Sequence, residues 1–134
     1  MNHYLDCWKK YAVFTGRASR TEFWSWCLWN MLLFFLFSQL LLFLTMNSLD
    51  ASPPGQQPPP PMTVVALFVI SQLYILLSLL PSIGVTIRRL HDQDRSGWWI
   101  LLNFICALGG IILLVIQTTP GTEGDNRFGA PPAS

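Results

Sequence analysis

The sequence has little charge. Eight Lys and Arg and seven Asp and Glu make up 11% of its 134 residues, against roughly 25% in soluble globular domains, which excludes an ordinary water-soluble domain. The net charge of +1 excludes a nucleic-acid binder driven by bulk charge. An apolar content of 51% excludes a disordered chain. The three cysteines, Cys7, Cys27 and Cys106, form no C-x-x-C pair, and there are only two histidines, His3 and His91. Neither a disulfide framework nor a zinc site is indicated, so no metal and no cofactor are expected. No acidic or basic residue occurs within 23–49, 51–87 or 96–122.

Three apolar runs fill those gaps, at 23–46, 62–87 and 98–117. About 20 helical residues cross a hydrocarbon core roughly 30 Å thick, so each run is long enough. The first contains thirteen Leu and Phe, whose insertion energies outweigh Asn30, Ser38 and Gln39. It follows 22 other residues, is too long for a signal-peptide core and precedes no A-x-A-like site, so it is expected to stay as an anchor. The predicted fold is all-α integral membrane, with three transmembrane helices plus an N-terminal amphipathic interfacial helix, as one membrane domain over 1–134. Its segments are a cytoplasmic or interfacial stretch 1–22, span 23–46, a proline-rich outer loop 47–61, span 62–87, a charged inner loop 88–97, span 98–117 and a Gly/Pro-rich tail 118–134.

Orientation follows from the basic residues beside the spans. Lys9, Lys10, Arg17 and Arg20 precede the first, none lies in 47–61, and Arg88, Arg89 and Arg95 follow the second. This predicts a cytoplasmic N-terminus and inner loop. Three full crossings send the tail outside. The third run is the shortest and carries Gly109-Gly110 at its middle, so a broken or re-entrant segment packed on protein is the alternative.

In the N-terminal stretch, helical spacing puts Tyr4, Leu5, Cys7, Trp8, Tyr11 and Ala12 on one side and His3, Asp6, Lys9 and Lys10 on the other, with Gly16 as a stop. Such a helix suits a headgroup layer; a short helix covering the loops is the equal alternative. Ser19-Arg20-Thr21-Glu22 has the capping-box pattern that starts a helix. Trp24, Trp26 and Trp29 match an aromatic belt.

The richest chemistry lies in 88–97. His91 is a candidate general base with Asp92 and Asp94 beside it, and the arginines are candidate phosphate ligands. A structural reading explains most of the same residues. Arg88 and Arg89 suit the negative end of the second helix, while Ser96 and Asp94 suit the start of the third. Catalysis by His91 and Asp92 therefore ranks second. Within the spans, Asn30 and Asn103 lie at matching depth, as do Ser38-Gln39 and Ser71-Gln72, which predicts two polar layers that join helices. Pro81 with Gly84 is expected to bend the second span. The outer loop reads as a polyproline spacer, and the turn-rich tail as a candidate anion nest.

The pieces Tyr11-x-x-Phe14-x-Gly16-Arg17-Ala18-Ser19-Arg20-x-Glu22-Phe23-Trp24, Arg88-Arg89-Leu90-His91-Asp92-x-Asp94-Arg95-Ser96-Gly97-Trp98-Trp99 and Pro120-Gly121-x-x-Gly124-x-Asn126-Arg127-Phe128-Gly129 resemble the three signatures of the domain of unknown function 805 family. The resemblance implies a multi-pass bacterial inner-membrane protein, with no reaction, cofactor or catalytic residue to carry over. It also implies that the three segments meet in one place. The proline loop is longer than the family pattern.

The function expected first is non-enzymatic: a binding or structural protein that contacts anionic phospholipid headgroups, or a partner, at the cytoplasmic face. The candidate contacts are Arg17, Arg20, Arg88, Arg89, Arg95, Asn126 and Arg127. Its partners are then the lipid bilayer and a second copy or another membrane protein, with no nucleic acid. A small oligomeric channel or holin-like pore is one alternative. The other is a membrane-embedded enzyme acting on a lipid phosphate through His91 and Asp92.

Overall fold

The computed structural model describes residues 3–51, 53, 59–105 and 107–132, with the backbone alone at 107. Among them the regular elements are helical: α1 (His3–Lys9), α2 (Arg20–Asp50), α3 (Met62–Asp92), a 3-10 turn (Gly97–Leu101), α4 (Leu102–Ile105) and α5 (Ala107–Thr118). The chain divides into two compact units, Met1–Cys27 with Leu79–Ser134, and Leu28–Ser78.

The two long helices follow from uninterrupted apolar sequence, and both outrun the apolar runs that predicted them. Each has 31 residues, so each is roughly 46 Å long at 1.5 Å per residue. At its start α2 gains the Ser19 cap, whose Oγ accepts from the Glu22 amide at 3.1 Å. Half of the expected capping box is absent, because the Glu22 carboxylate turns to cations instead of reaching back. At its end α3 continues through Arg88–Asp92, which the sequence had suggested as loop. The helix is unbroken at Pro81.

Both long helices carry apolar residues outward, among them Met31, Phe34, Phe43, Leu76 and Leu77. Almost none of their most apolar stretches is buried. Buried core helices of a soluble protein would hide this surface; helices facing hydrocarbon need not.

The third apolar run behaves differently. It is divided into the 3-10 turn, α4 and α5, and α5 has only 12 residues. Ser96 caps the turn, its Oγ accepting from the Trp98 amide at 3.4 Å. Beyond α4 the chain doubles back, and Gly109 packs so tightly on the Leu102 carbonyl that a Cβ there would collide with it. At the end of α5, Leu113 and Ile116 bury against Leu90 of α3. The segment therefore leaves the end of α3 at Ser96 and returns to it at Ile116. Two described helices are long enough to cross a bilayer; α5 is a shorter apolar helix.

In the first unit α1 packs its apolar side on α2, with Cys7, Ala18, Phe23, Trp26 and Val85 buried together. Tyr4 stacks on Trp26 at 5.1 Å between ring centroids, and Trp8 meets Trp26 edge-on at 5.5 Å. The face that α1 offered to headgroups is largely occupied by the protein's own rings, with Leu5 left outward. The polyproline spacer falls mostly on residues outside those described.

Candidate functional site

Six charged side chains of the first unit form two clusters, buried except for the Lys10 end of the first. In one, Arg88 Nη1 donates to Glu22 Oε1 at 2.8 Å, and Lys10 Nζ reaches the same oxygen at 3.3 Å. In the other, Arg17 Nε donates to Asp92 Oδ1 at 2.9 Å, while Arg89 donates to Asp92 Oδ2. Each carboxylate thus bridges two cations. Arg88 and Arg89 are each 1% exposed and Arg17 is 8%, so the ion pairs lie out of water, where losing one partner is expensive.

The tail completes the second cluster with backbone. Arg17 donates to the carbonyls of Gly124 at 2.6 Å, Thr122 at 2.6 Å and Gly129 at 3.3 Å. Arg89 donates to the carbonyls of Gln117 and Thr119. The Thr122 amide returns a bond to the Asp92 carbonyl at 2.8 Å. This corrects the anion-nest reading of the tail: its turns aim carbonyl oxygens, not amides, at a guanidinium. Gly121 lies against the Asp92 carboxylate, where a Cβ would overlap it.

The remaining candidates surround this core. Asn126 Nδ2 donates to the His91 carbonyl at 2.9 Å, and Arg127 Nε pairs with Asp94 at 3.0 Å. Arg95 lies 4.9 Å over the Trp99 ring, a cation–π geometry. Arg20 is exposed and has a 3.5 Å contact with the Thr118 carbonyl. The His91 ring stacks on Phe128 with centroids 3.9 Å apart, and its Nδ1 lies 3.2 Å from the Gly16 carbonyl. His91 lies past the apolar run of α3, and burial pushes its imidazolium below the ordinary value, assisted by Arg127 and opposed by the Gly16 bond. Asp92 is held by arginines and does not orient His91, so the pair is not arranged as base and orienting acid.

Cys7 and Glu22 went unnoticed as site residues. Burial pushes the Cys7 thiol up to about 12, with the Glu22 charge adding to it, and the thiol lies 3.9 Å from Glu22 Oε1. It is a weak donor there and a poor nucleophile. The sequence signals for Glu22 were the capping-box pattern, which pointed to a helix start, and its place as an acid at the edge of an apolar run, where a cation is wanted as partner. Gln117, fully buried, has neither side-chain polar atom bonded among the described residues.

In the second unit, Tyr74 Oη donates to Asn30 Oδ1 at 2.7 Å. Ser38 and Ser71 line one cavity of about 160 Å³ together with Gln72, yet their hydroxyls donate to Phe35 and Phe68 of their own helices. Gln39 is exposed. Asn103 lies on α4 in the other unit.

The juxtaposition of residues 16–24, 88–99 and 120–129 is what the three sequence signatures require. The match to the family model described as "Protein of unknown function (DUF805)" covers residues 11–130. The chain belongs to the DUF805 family. It is 37% identical over 132 residues to inner membrane protein YhaI of Escherichia coli (strain K12), covering 98% of this chain and 96% of that protein. Inner membrane protein YhaH of the same organism is 36% identical, with 98% and 97% covered. No solved structure matches. Kinship with these relatives and two exposed apolar helices make this DUF805 chain an inner-membrane protein.

Proposed function

We propose that this protein is a non-enzymatic inner-membrane protein whose cytoplasmic head holds anionic phospholipid headgroups. In this reading α2 and α3 are the two crossings, residues 97–118 form a re-entrant hairpin, and the N-terminal segment, the end of α3 and the tail share the cytoplasmic side. The observation that carries it is the imbalance of the head. Lys10, Arg17, Arg88 and Arg89 share Glu22 and Asp92, and at the surface Arg20 and Arg95 are offset by the exposed Glu123 and Asp125, so the excess of positive charge is that of the buried set. The excess favours an anion, and the exposed Trp98 suits the depth at which headgroups begin.

Among the described residues every guanidinium nitrogen of the buried arginines has a partner except Arg88 Nη2, which is itself buried. Headgroup contact therefore falls to Arg20 and Arg95, and the buried set supplies field and scaffold. A basic residue near an anionic surface contributes roughly 1 kcal/mol. In nanodiscs of mixed phosphatidylcholine and phosphatidylglycerol, the wild-type chain should retain phosphatidylglycerol through native mass spectrometry, and Arg20→Ala with Arg95→Ala should cut that retention roughly tenfold or more. Equal retention by the variant overturns the headgroup reading. Paired reporters fused after the tail test the topology separately: an external C-terminus removes the re-entrant hairpin.

A further inference from the structure

A cavity of about 390 Å³ opens beside His91, lined by Phe14, Ile87, His91, Ser96, Gly97, Trp98, Ile100 and Leu101. Its volume falls within the roughly 300–1,000 Å³ of small-molecule sites. It is distinct from the ionic clusters, and none of its lining residues carries a fixed charge. Apolar surface continues from it: Trp98 is 77% exposed, and Leu101, Phe104 and Ile105 follow it outward. A bilayer chain can reach the cavity along that surface.

Two polar groups in the lining have defined roles. The Gly16 carbonyl can only accept, so the 3.2 Å contact fixes the hydrogen of neutral His91 on Nδ1. Nε2 is then an acceptor. It lies beside Gly97, where a Cβ would meet Ile87 Cγ2 at 2.9 Å and Nε2 at 3.5 Å, and all three residues line the cavity. Stacking on Phe128 holds the ring plane. Ser96 Oγ accepts from the Trp98 amide, which leaves its hydroxyl hydrogen to donate. The cavity therefore presents one acceptor and one donor in apolar surroundings. An alcohol group is both donor and acceptor, whereas a hydrocarbon satisfies neither group and a phosphate would bring an uncompensated charge into an uncharged lining.

We propose that the cavity beside His91 binds the hydroxyl end of a neutral long-chain alcohol lipid, which donates to His91 Nε2 and accepts from Ser96. Such a hydroxyl is carried by polyprenols and by diacylglycerols alike, and the chain would lie along Trp98 and Leu101. This site does not rest on the headgroup reading, since Arg20 and Arg95 take no part in it.

The test uses the full chain, 15N-labelled at His3 and His91, in phosphatidylcholine nanodiscs. Farnesol and dioleoylglycerol are titrated separately, with farnesene and farnesyl phosphate as controls. A saturable shift of the His91 Nε2 resonance with either alcohol supports the proposal, and the tighter of the two identifies the chain type. No shift with both overturns it, as does an equal response to farnesene or to farnesyl phosphate. His91→Asn keeps a donor for Gly16 but removes the Nε2 position, whereas His91→Gln keeps a polar group near it. Followed by tryptophan emission, the Asn variant should bind about tenfold more weakly and the Gln variant within about threefold of wild type. Wild-type affinity in the Asn variant also overturns the assignment. If either variant fails to fold, the wild-type titration still decides.

Discussion

The two units of this chain are stabilised in opposite ways. In Met1–Cys27 with Leu79–Ser134, residues as far apart in sequence as Arg17 and Gly129 bond to one another, guanidinium to backbone carbonyl, and charged groups are buried with their partners. In Leu28–Ser78, the hydroxyls of Ser38, Thr45 and Ser71 each donate to a carbonyl of their own helix, and the apolar surface faces outward. The first unit carries its own polar interior. The second leaves its burial to lipid, which satisfies apolar groups without specifying partners. A small membrane protein can thus concentrate its specificity in one unit and reduce the other to length and hydropathy.

The sharpest way to break this contrast is Asp92→Asn. It leaves Arg17 and Arg89 buried without their counter-ion, and should cost about 3–5 kcal/mol, seen as loss of folded protein on heating in mild detergent. A near-neutral result would mean the ionic core is not what holds the first unit. Gly121→Ala ranks next, because the new methyl meets the Asp92 carboxylate and forces the tail aside, at about 1–3 kcal/mol; faster proteolysis within 119–132 is the measurement. In the second unit Tyr74→Phe removes the bond to Asn30 and should cost only about 0.6–1.7 kcal/mol.

Acidification has a smaller effect, confined to the first unit. Burial holds His91 below its ordinary value of 6.5, so the folded state binds fewer protons there than the unfolded one. That contribution is present above about pH 6.5 and fades as pH falls below it; His91→Phe should flatten this part of a stability profile. Smallest of all is Ser38→Ala, expected within about 0.5 kcal/mol, because its hydroxyl serves only a carbonyl of its own helix.

The sequence made the two long apolar helices legible because twenty-odd consecutive apolar residues have few other uses. Their ends were harder to read. α3 continues through Arg88–Asp92 since those residues bond to Glu22, Arg17 and the tail, and the nearest of these partners in sequence, apart from Arg89 with Asp92, is 28 residues away. The path of the third run stayed open in the sequence because composition is the same whether a segment passes through or doubles back; Gly109-Gly110 carried the second alternative, and Gly109 is where the chain packs on Leu102. The recurrence of charged signatures outside the spans indicated a meeting place. Which charge met which was hidden, since Arg17 and Asp92 are 75 residues apart and any of the seven acids was an eligible partner.

The bond from Arg17 to Gly124 also imposes an order on biogenesis. The two residues are 107 positions apart, which at about 5–20 residues per second is roughly 5–20 s of translation. Asp92, the ion-pair partner of Arg17, precedes Gly124 in the chain, so for the last part of that interval the guanidinium has its carboxylate but not yet the tail carbonyls. The tail can close on Arg17 only after both long helices have been made, so a chain that stops short of Thr122 would carry its helices but lack the latch, and a quality-control protease could recognise it by that.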